Sequence, residues 1–196
     1  MIRTPIALVP YLIALAAIIA GLLSYAGDRA AGLAQGVAAV GGPFTLVDQD
    51  GRTRTDKDFR GQYLLIYFGY TYCPDVCPTT LAVMEQALEK LGPAAAARVT
   101  PVFVTIDPAR DTPQVLKPYL KSFGPRFVGL TGSEAAITLI SHEYSVYAAK
   151  QPIKGGGYAM THSSTIYLMG PNGKFVTHYE ESIGPDGLAA DLHKRI

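Results

Sequence analysis

The sequence predicts an α/β protein in which helices cover both faces of a mixed sheet, preceded by an N-terminal transmembrane helix. Two continuous apolar runs, 62–70 and 99–106, have the composition of strands buried on both faces, and a helical pattern follows each of them. The last part of the chain, 164–179, has the pattern of an antiparallel hairpin. Parallel strands joined by crossover helices and completed by a terminal hairpin form a mixed sheet.

An uncharged apolar run near the N-terminus predicts a membrane anchor. No charged residue lies between Arg3 and Asp28, and residues 6–27 would form a helix of about 33 Å, which is long enough to cross a bilayer. A cleaved signal peptide is the alternative, because 24–26 is an acceptable cleavage site, but the apolar region of a signal peptide is only about 7 to 15 residues long. We therefore assign residues 1–28 to an uncleaved anchor, 29–42 to a Gly- and Ala-rich flexible tether, and 43–196 to one folded domain.

The charged residues indicate the orientation of the chain in a membrane and argue against nucleic acid as a partner. Arg3 precedes the apolar run, so the positive-inside tendency places the N-terminus in the cytoplasm and exports the folded domain. Too few residues precede the run for an organelle transit peptide, which favours a single-pass protein of a bacterial inner membrane with most of the chain in the periplasm. The chain has 17 basic and 16 acidic residues, which provide no basic field for nucleic acid.

The folded domain is predicted to alternate strands and helices after an opening hairpin. Proline at the first helical position and glycine after the last mark the boundaries of a helix at 78–91, and Ser133 has the type of an N-cap residue. Residues 143–163, with three consecutive glycines at 155–157, have no such pattern and are predicted to be a loop. In order, we predict strands at 44–47 and 52–55 around an Asp-Gly turn, a strand at 62–70, a helix at 78–91, a strand at 99–106, a helix from 113 that Gly124 ends, a strand at 127–130, a helix at 133–142, strands at 164–169 and 174–179 around a Pro-Asn-Gly turn, and a helix at 185–195.

The only two cysteines, Cys73 and Cys77, fall between a buried strand and a helix N-terminus. At this spacing their Cβ atoms are expected about 5 to 6 Å apart. A disulfide requires about 3.5 to 4.5 Å between Cβ atoms, whereas two thiolates about 2.3 Å from one metal are separated by nearly 4 Å. The spacing thus suits a metal at least as well as a disulfide, and the positive end of the helix is expected to lower the thiol pKa values.

His162 is the best candidate for a third ligand among four histidines. It lies just before a predicted strand, at a sheet end and after the glycine-rich segment, where it can approach the cysteines. His142 and His193 lie near helix ends and His178 lies within a strand, so these three are predicted to be structural or surface residues. Two soft thiolates with one imidazole suit Cu(I).

Three features resemble the Sco/SenC copper proteins of cytochrome oxidase assembly: the segment YFGYTYCPDVCP at 67–78, the segment VTIDPARDTP at 104–113, and a lone histidine before a late strand. The resemblance covers essentially all of 43–196 and includes the N-terminal anchor. It implies a thioredoxin-like fold and one copper ion bound by Cys73, Cys77 and His162. It also implies two roles: copper delivery, from a donor protein, to the binuclear site of the copper-bearing oxidase subunit, or reduction of that subunit's cysteines through a Cys73–Cys77 redox disulfide.

Three further functions compete with a copper chaperone, which would not be an enzyme in the usual sense: a thiol-disulfide oxidoreductase, a peroxidase, and a sensor that reports copper or redox state through the same three residues. A thiol-disulfide oxidoreductase of the thioredoxin type commonly has two residues between its cysteines and a proline before the late strand, but this chain has three residues there and no proline between Lys154 and Gly170. A thioredoxin-like peroxidase would need a Pro-x-x-x-Thr-x-x-Cys pattern, which Cys73 does not complete. Asp75 and Asp107 are interpreted either as turn residues or as contacts to the site or a partner.

Overall fold

The computed structural model describes residues 40–196. The predicted anchor at 1–28 and all but the end of the predicted tether lie outside the described residues. No helix within 40–196 has both the length and the apolar character needed to cross a membrane. At the end of the tether segment, the Gly41 N–H donates to the Glu143 carbonyl oxygen at 2.7 Å.

Nine strands and five helices make up the described part of the chain, with two short 3-10 turns at Asp56–Phe59 and Glu181–Ile183. The strands are β1 (Thr45–Asp48), β2 (Thr53–Thr55), β3 (Tyr63–Gly69), β4 (Val99–Thr105), β5 (Val128–Thr131), β6 (Ala148–Pro152), β7 (Tyr158–His162), β8 (Ile166–Met169) and β9 (Phe175–Tyr179). The helices are α1 (Val76–Leu91), α2 (Pro93–Ala96), α3 (Pro113–Lys121), α4 (Glu134–Glu143) and α5 (Gly184–Arg195).

Seven strands form one mixed sheet in the order β2-β1-β5-β4-β3-β8-β9. The central strand β3 pairs in parallel with β4 and antiparallel with β8, and β4 pairs in parallel with β5. The two parallel connections run through α1 and α3, as parallel neighbours require a crossover. The mixed α/β sheet, its opening hairpin and its terminal hairpin are therefore confirmed.

Side chains of β3 alternate between two covered faces. Tyr67 points to the face where its ring packs against Phe103, with centroids 6.4 Å apart, and Phe103 in turn contacts Tyr119 of α3. Phe68 points to the other face, where its ring lies 5.3 Å from that of Tyr144, at the end of α4. Helix α5 packs against α1. Because both faces of β3 are covered, its sequence is a continuous apolar run.

Two local differences from the sequence prediction affect the site. Helix α1 begins at Val76, two residues earlier than predicted, so Cys77 belongs to its first turn. The prediction of a loop at 143–163 is wrong, because this segment contains the antiparallel pair β6–β7. Most residues of β6 are exposed, so the segment has no apolar alternation to indicate a strand. All three glycines of its turn, 155–157, have positive φ.

Candidate metal centre

The two cysteines lie at the junction of β3 and α1 and differ in exposure. Cys73 is in the loop after β3 and is half-buried, whereas Cys77 is fully buried. The backbone N–H of Cys77 donates to Cys73 Sγ at 3.4 Å, so the first turn of α1 directs an N–H at the sulfur. Both cysteines are free thiols.

His162, the last residue of β7, lies beside the cysteine pair although it is 85 residues from Cys77 in the sequence. Its Nε2 lies 3.5 Å from Cys77 Sγ, and its Nδ1 lies 2.8 Å from the carbonyl oxygen of Ser163. A carbonyl accepts hydrogen bonds, so the proton belongs on Nδ1 and the lone pair on Nε2 faces the sulfurs. The structure thus brings together the three predicted ligand residues.

The spacing of these three ligand atoms fits one small cation. Both sulfurs and the His162 nitrogen lie within 4.8 Å of one another, and the described residues contain no other such group of three. Three ligands about 2.0 to 2.3 Å from one ion would be separated by about 3.5 to 4.0 Å when arranged as a triangle. A closure of less than about 1.5 Å completes that arrangement. A disulfide between the same two sulfurs needs a larger closure, to about 2.05 Å.

Burial controls the protonation of the site. It raises the pKa of the Cys77 thiol to about 12, with a further contribution from the neighbouring Cys73. The expectation that the helix N-terminus lowers the pKa is therefore wrong for Cys77, since desolvation exceeds the effect of the helix dipole there. Burial also lowers the pKa of His162, which keeps the imidazole neutral and able to bind a metal.

Aromatic rings form the walls of the site. The rings of Tyr67 and Tyr70 lie edge-on to the His162 ring, with centroids 6.2 and 5.8 Å away. The Tyr67 hydroxyl donates to Cys77 Sγ at 3.7 Å. Behind Cys77, a Cβ at Gly69 would lie only 2.9 Å from Sγ, so glycine is needed where the strand passes the thiol. No local sequence pattern marks this glycine or the Tyr67 hydroxyl as part of the site.

The two candidate aspartates occupy different surroundings. Asp75 is exposed, and its backbone carbonyl accepts the N–H and the hydroxyl of Thr79 at the start of α1. Asp107 is fully buried, and its carboxylate accepts hydrogen bonds from Arg110 Nε and, at 2.8 Å, from the Tyr158 hydroxyl. Neither belongs to the ligand group. Tyr158 was missed because its segment was predicted to be a loop.

The remaining histidines lie outside this centre. All three are exposed, and none belongs to the Cys-Cys-His group. His142 is in the last turn of α4, His178 is in β9, and His193 is in the last turn of α5. The described structure therefore agrees with the interpretation of these three as surface residues.

The fold and the site together define a class of protein. A strand, a crossover helix, a parallel strand, an antiparallel hairpin and a final helix form the core, with a dithiol after the first of these strands. This is a thioredoxin-like domain with a histidine facing its cysteine pair. The SCO1/SenC family model matches residues 33–196, and the chain belongs to this family.

Known proteins of the family match in sequence and in structure. The chain is 39% identical over 165 residues to "Protein SCO1 homolog 1, mitochondrial" of Arabidopsis thaliana, covering 84% of this chain and 49% of that protein. The structure of Bradyrhizobium japonicum ScoI with copper bound is 46% identical, covers 81% of this chain and 100% of that chain, and superposes with a TM-score of 0.75. The structure of BsSco, described as having a disulfide switch and as a member of the Sco family of cytochrome c oxidase assembly proteins, is 27% identical over 79% of this chain and 92% of that chain, with a TM-score of 0.63.

The chain spans about half the length of the first curated relatives that it matches, with 49%, 57% and 53% of those proteins covered. The solved structures, in contrast, are covered almost completely. The shared part is therefore the domain that contains the Cys-Cys-His group.

Proposed function

We propose that this protein is a membrane-anchored copper chaperone that binds one copper ion and assists assembly of the binuclear copper site of cytochrome c oxidase. Its ligands are Cys73, Cys77 and His162. The proposal depends on one observation: the 3.5 Å approach of His162 Nε2 to Cys77 Sγ, within a ligand group no wider than 4.8 Å.

The chemistry of the ligands supports copper. Two thiolates and one neutral imidazole form a soft ligand set, which suits Cu(I). Membership of the SCO1/SenC family and the copper-bound structure of Bradyrhizobium japonicum ScoI favour the same ion. Cu(I) binds thiolates, so loading displaces the proton that burial keeps on Cys77.

The cellular setting belongs to the same proposal. In this proposal, the apolar run within 1–28 anchors the protein in the inner membrane by a single pass, and 29–42 connects it to a domain in the periplasm. The ion comes from a copper donor protein and passes to the copper-bearing oxidase subunit by exchange of ligands. The description of BsSco as a member of a family of oxidase assembly proteins supports this recipient.

An anaerobic Cu(I) titration of the reduced full chain in detergent tests the proposal. We expect one copper ion per chain, weaker binding in His162→Ala, and loss of the site in Cys73→Ser or Cys77→Ser. His178→Ala is the matched control, since it removes an exposed imidazole outside the ligand group. Copper binding by His162→Ala with wild-type affinity would remove His162 from the site and refute the three-ligand proposal.

Thiol-disulfide exchange is the second candidate, because the two free thiols lie side by side and Cys73 is accessible. In such a reaction the Cys73 thiolate attacks a partner's disulfide, forms a mixed disulfide and releases one partner thiol. Cys77 then attacks the Cys73 sulfur, which closes the Cys73–Cys77 bond and releases the second partner thiol. Two electrons pass to the partner, and this chain is oxidised.

His162 distinguishes the two functions. Exchange requires only the two sulfurs, so His162→Ala should retain disulfide reduction while it loses copper affinity. Oxidation of the pair should block Cu(I) loading, because both thiolate ligands are consumed. Full copper uptake by the oxidised protein would contradict the chaperone proposal. Reduction of a disulfide-bonded oxidase fragment by His162→Ala as fast as by the wild type would favour the exchange function.

A further inference from the structure

The hairpin β6–β7, which holds His162, pairs only with itself. Its two strands form a separate two-stranded sheet, and no backbone hydrogen bond among residues 40–196 connects them to the seven-stranded sheet. A groove of about 350 Å³ separates the hairpin from α4, lined among others by Ile137, Val146 and Met160. The Lys150–Glu134 ion pair that crosses to α4 is exposed and contributes little. Other contacts must therefore fix the position of His162 relative to the cysteines.

Three side chains connect this hairpin to the loop between β4 and α3. Arg110 Nη1 donates to the carbonyl oxygen of Tyr158 at 3.0 Å, and its guanidinium lies 3.9 Å from the centroid of the Tyr158 ring. The Tyr158 hydroxyl donates to Asp107 at 2.8 Å, and the same carboxylate forms an ion pair with Arg110. Because Asp107 is fully buried, its two partners are held at a fixed place in the domain.

The same loop also holds the segment that leads to the cysteines. Asp111, at its other end, is fully buried and accepts the Thr71 N–H at 3.0 Å and the Thr71 hydroxyl at 2.6 Å. Thr71 is two residues before Cys73. One loop therefore contacts both halves of the centre: the cysteine segment through Asp111, and the histidine hairpin through Asp107 and Arg110.

We infer that Asp107, Arg110 and Tyr158 are positioning residues that hold the His162 hairpin over the cysteine pair. None of the three belongs to the ligand group. Tyr158 is the first residue of β7 and His162 is the last, so Tyr158 holds the end of the strand opposite the ligand. The inference rests on the proposed function only for its effect on copper. The position of the hairpin is a property of the copper-free protein and is measured separately.

Tyr158→Phe is the sharpest test, because it removes one hydroxyl and keeps the ring beneath Arg110. Tyr179→Phe is the matched control: the Tyr179 hydroxyl donates to Asp191 at 2.9 Å, and Asp191 also binds Arg195, so the same chemical group is lost outside the centre. Arg110→Lys provides a second variant that keeps the charge but loses the guanidinium fork, with Arg195→Lys as its control.

In the copper-free full chain, we expect amide exchange of the hairpin to become about fivefold faster in Tyr158→Phe and unchanged in Tyr179→Phe. In the reduced protein, we expect Cu(I) affinity to fall roughly tenfold in Tyr158→Phe and Arg110→Lys, the lower end of the effect of removing groups that orient metal ligands. In a His162→Ala background, Tyr158→Phe should cause no further loss of affinity, because it acts through His162.

Three results would each overturn the inference. These are unchanged hairpin exchange in both Tyr158→Phe and Arg110→Lys, equal loss of affinity in Tyr158→Phe and Tyr179→Phe, or a full additional loss in the His162→Ala background. If the wild-type chain bound no copper at all, the proposed function would fail, and the exchange measurement would still decide whether the three residues position the hairpin.

Discussion

Gly69→Ala is predicted to disturb the cysteine pair through a single added methyl group. The new Cβ would lie 2.9 Å from Cys77 Sγ, 2.9 Å from Phe103 Cε2 and 3.0 Å from Tyr67 Cε1. All three side chains are fully buried, so the surroundings cannot yield into solvent. Overpacking of this kind costs about 1 to 3 kcal/mol.

The expected loss of stability corresponds to a fall in Tm of about 2 to 12 °C for a domain of this size. Because one of the displaced atoms is a proposed ligand, Cu(I) affinity should fall as well. Gly132→Ala is the control for the added methyl group: its Cβ would meet only a Leu46 methyl, at 3.1 Å, which is a milder contact outside the centre.

Thermal unfolding of the copper-free chain and a competition titration with a Cu(I) chelator measure the two effects. Gly132→Ala should lower Tm at most slightly and leave copper affinity unchanged. A Gly69→Ala variant with wild-type Tm and affinity would show that the backbone moves freely behind Cys77. That result would refute the predicted clash between a Cβ at residue 69 and Cys77 Sγ.

Three further predictions concern single groups. Tyr67→Phe should destabilise the reduced protein by about 1 kcal/mol in urea unfolding, because the hydroxyl that donates to Cys77 is lost; equal stability would show that this 3.7 Å contact contributes nothing. Hydrogen bonding from Arg195 lowers the pKa of Asp191, so the wild type should be slightly more stable than Asp191→Asn above about pH 4, where an unfolded aspartate is ionised, and this difference should disappear as the pH falls through the lowered pKa; a difference independent of pH would contradict it. Iodoacetamide should modify Cys73 first in the reduced protein, since buried Cys77 reacts only after local opening, and equal rates in peptide mass spectrometry would contradict the burial of Cys77.

The elements that the sequence predicts correctly are those whose burial leaves a local pattern. Strands β3 and β4 lie inside a sheet covered on both faces, and this requires continuous apolar runs. The β8–β9 hairpin has a Pro-Asn-Gly turn whose glycine, Gly173, has positive φ. For these segments, the local sequence and the tertiary environment favour the same structure.

The β6–β7 hairpin was missed for the opposite reason. Its strands contact the rest of the domain through few buried side chains, and only Met160 among the five residues of β7 is buried. The signal in its sequence was its three-glycine turn, which predicts a loop as readily as a hairpin. The position of Tyr158 beside Arg110 depends on residues about fifty positions apart, and no local pattern contains that information.

The sequence indicates which three residues come together but not the electrostatics around them. Cys73 and Cys77 are four residues apart at a predicted helix N-terminus, and this spacing alone indicates a paired site. The pKa of Cys77, however, depends on how completely the core buries the thiol, and part of that cover, including Tyr67, comes from the sheet. A local rule about helix N-termini gave the wrong direction because desolvation is a tertiary effect.

The burial of Cys77 gives the three proposed ligands different roles in the proposed transfer of copper. Cys77 is enclosed from behind by Gly69 and the aromatic rings, so an incoming ligand can approach the ion only from the side of Cys73 and His162. Cys73 lies in a loop, and His162 ends a hairpin whose strands do not pair with the seven-stranded sheet, so moving either ligand disturbs less of the core than moving Cys77. Cys77 cannot move without opening the packing around α1. Ligand exchange should therefore begin at Cys73 or His162 and end at Cys77, which keeps the ion bound until the partner supplies its own ligands.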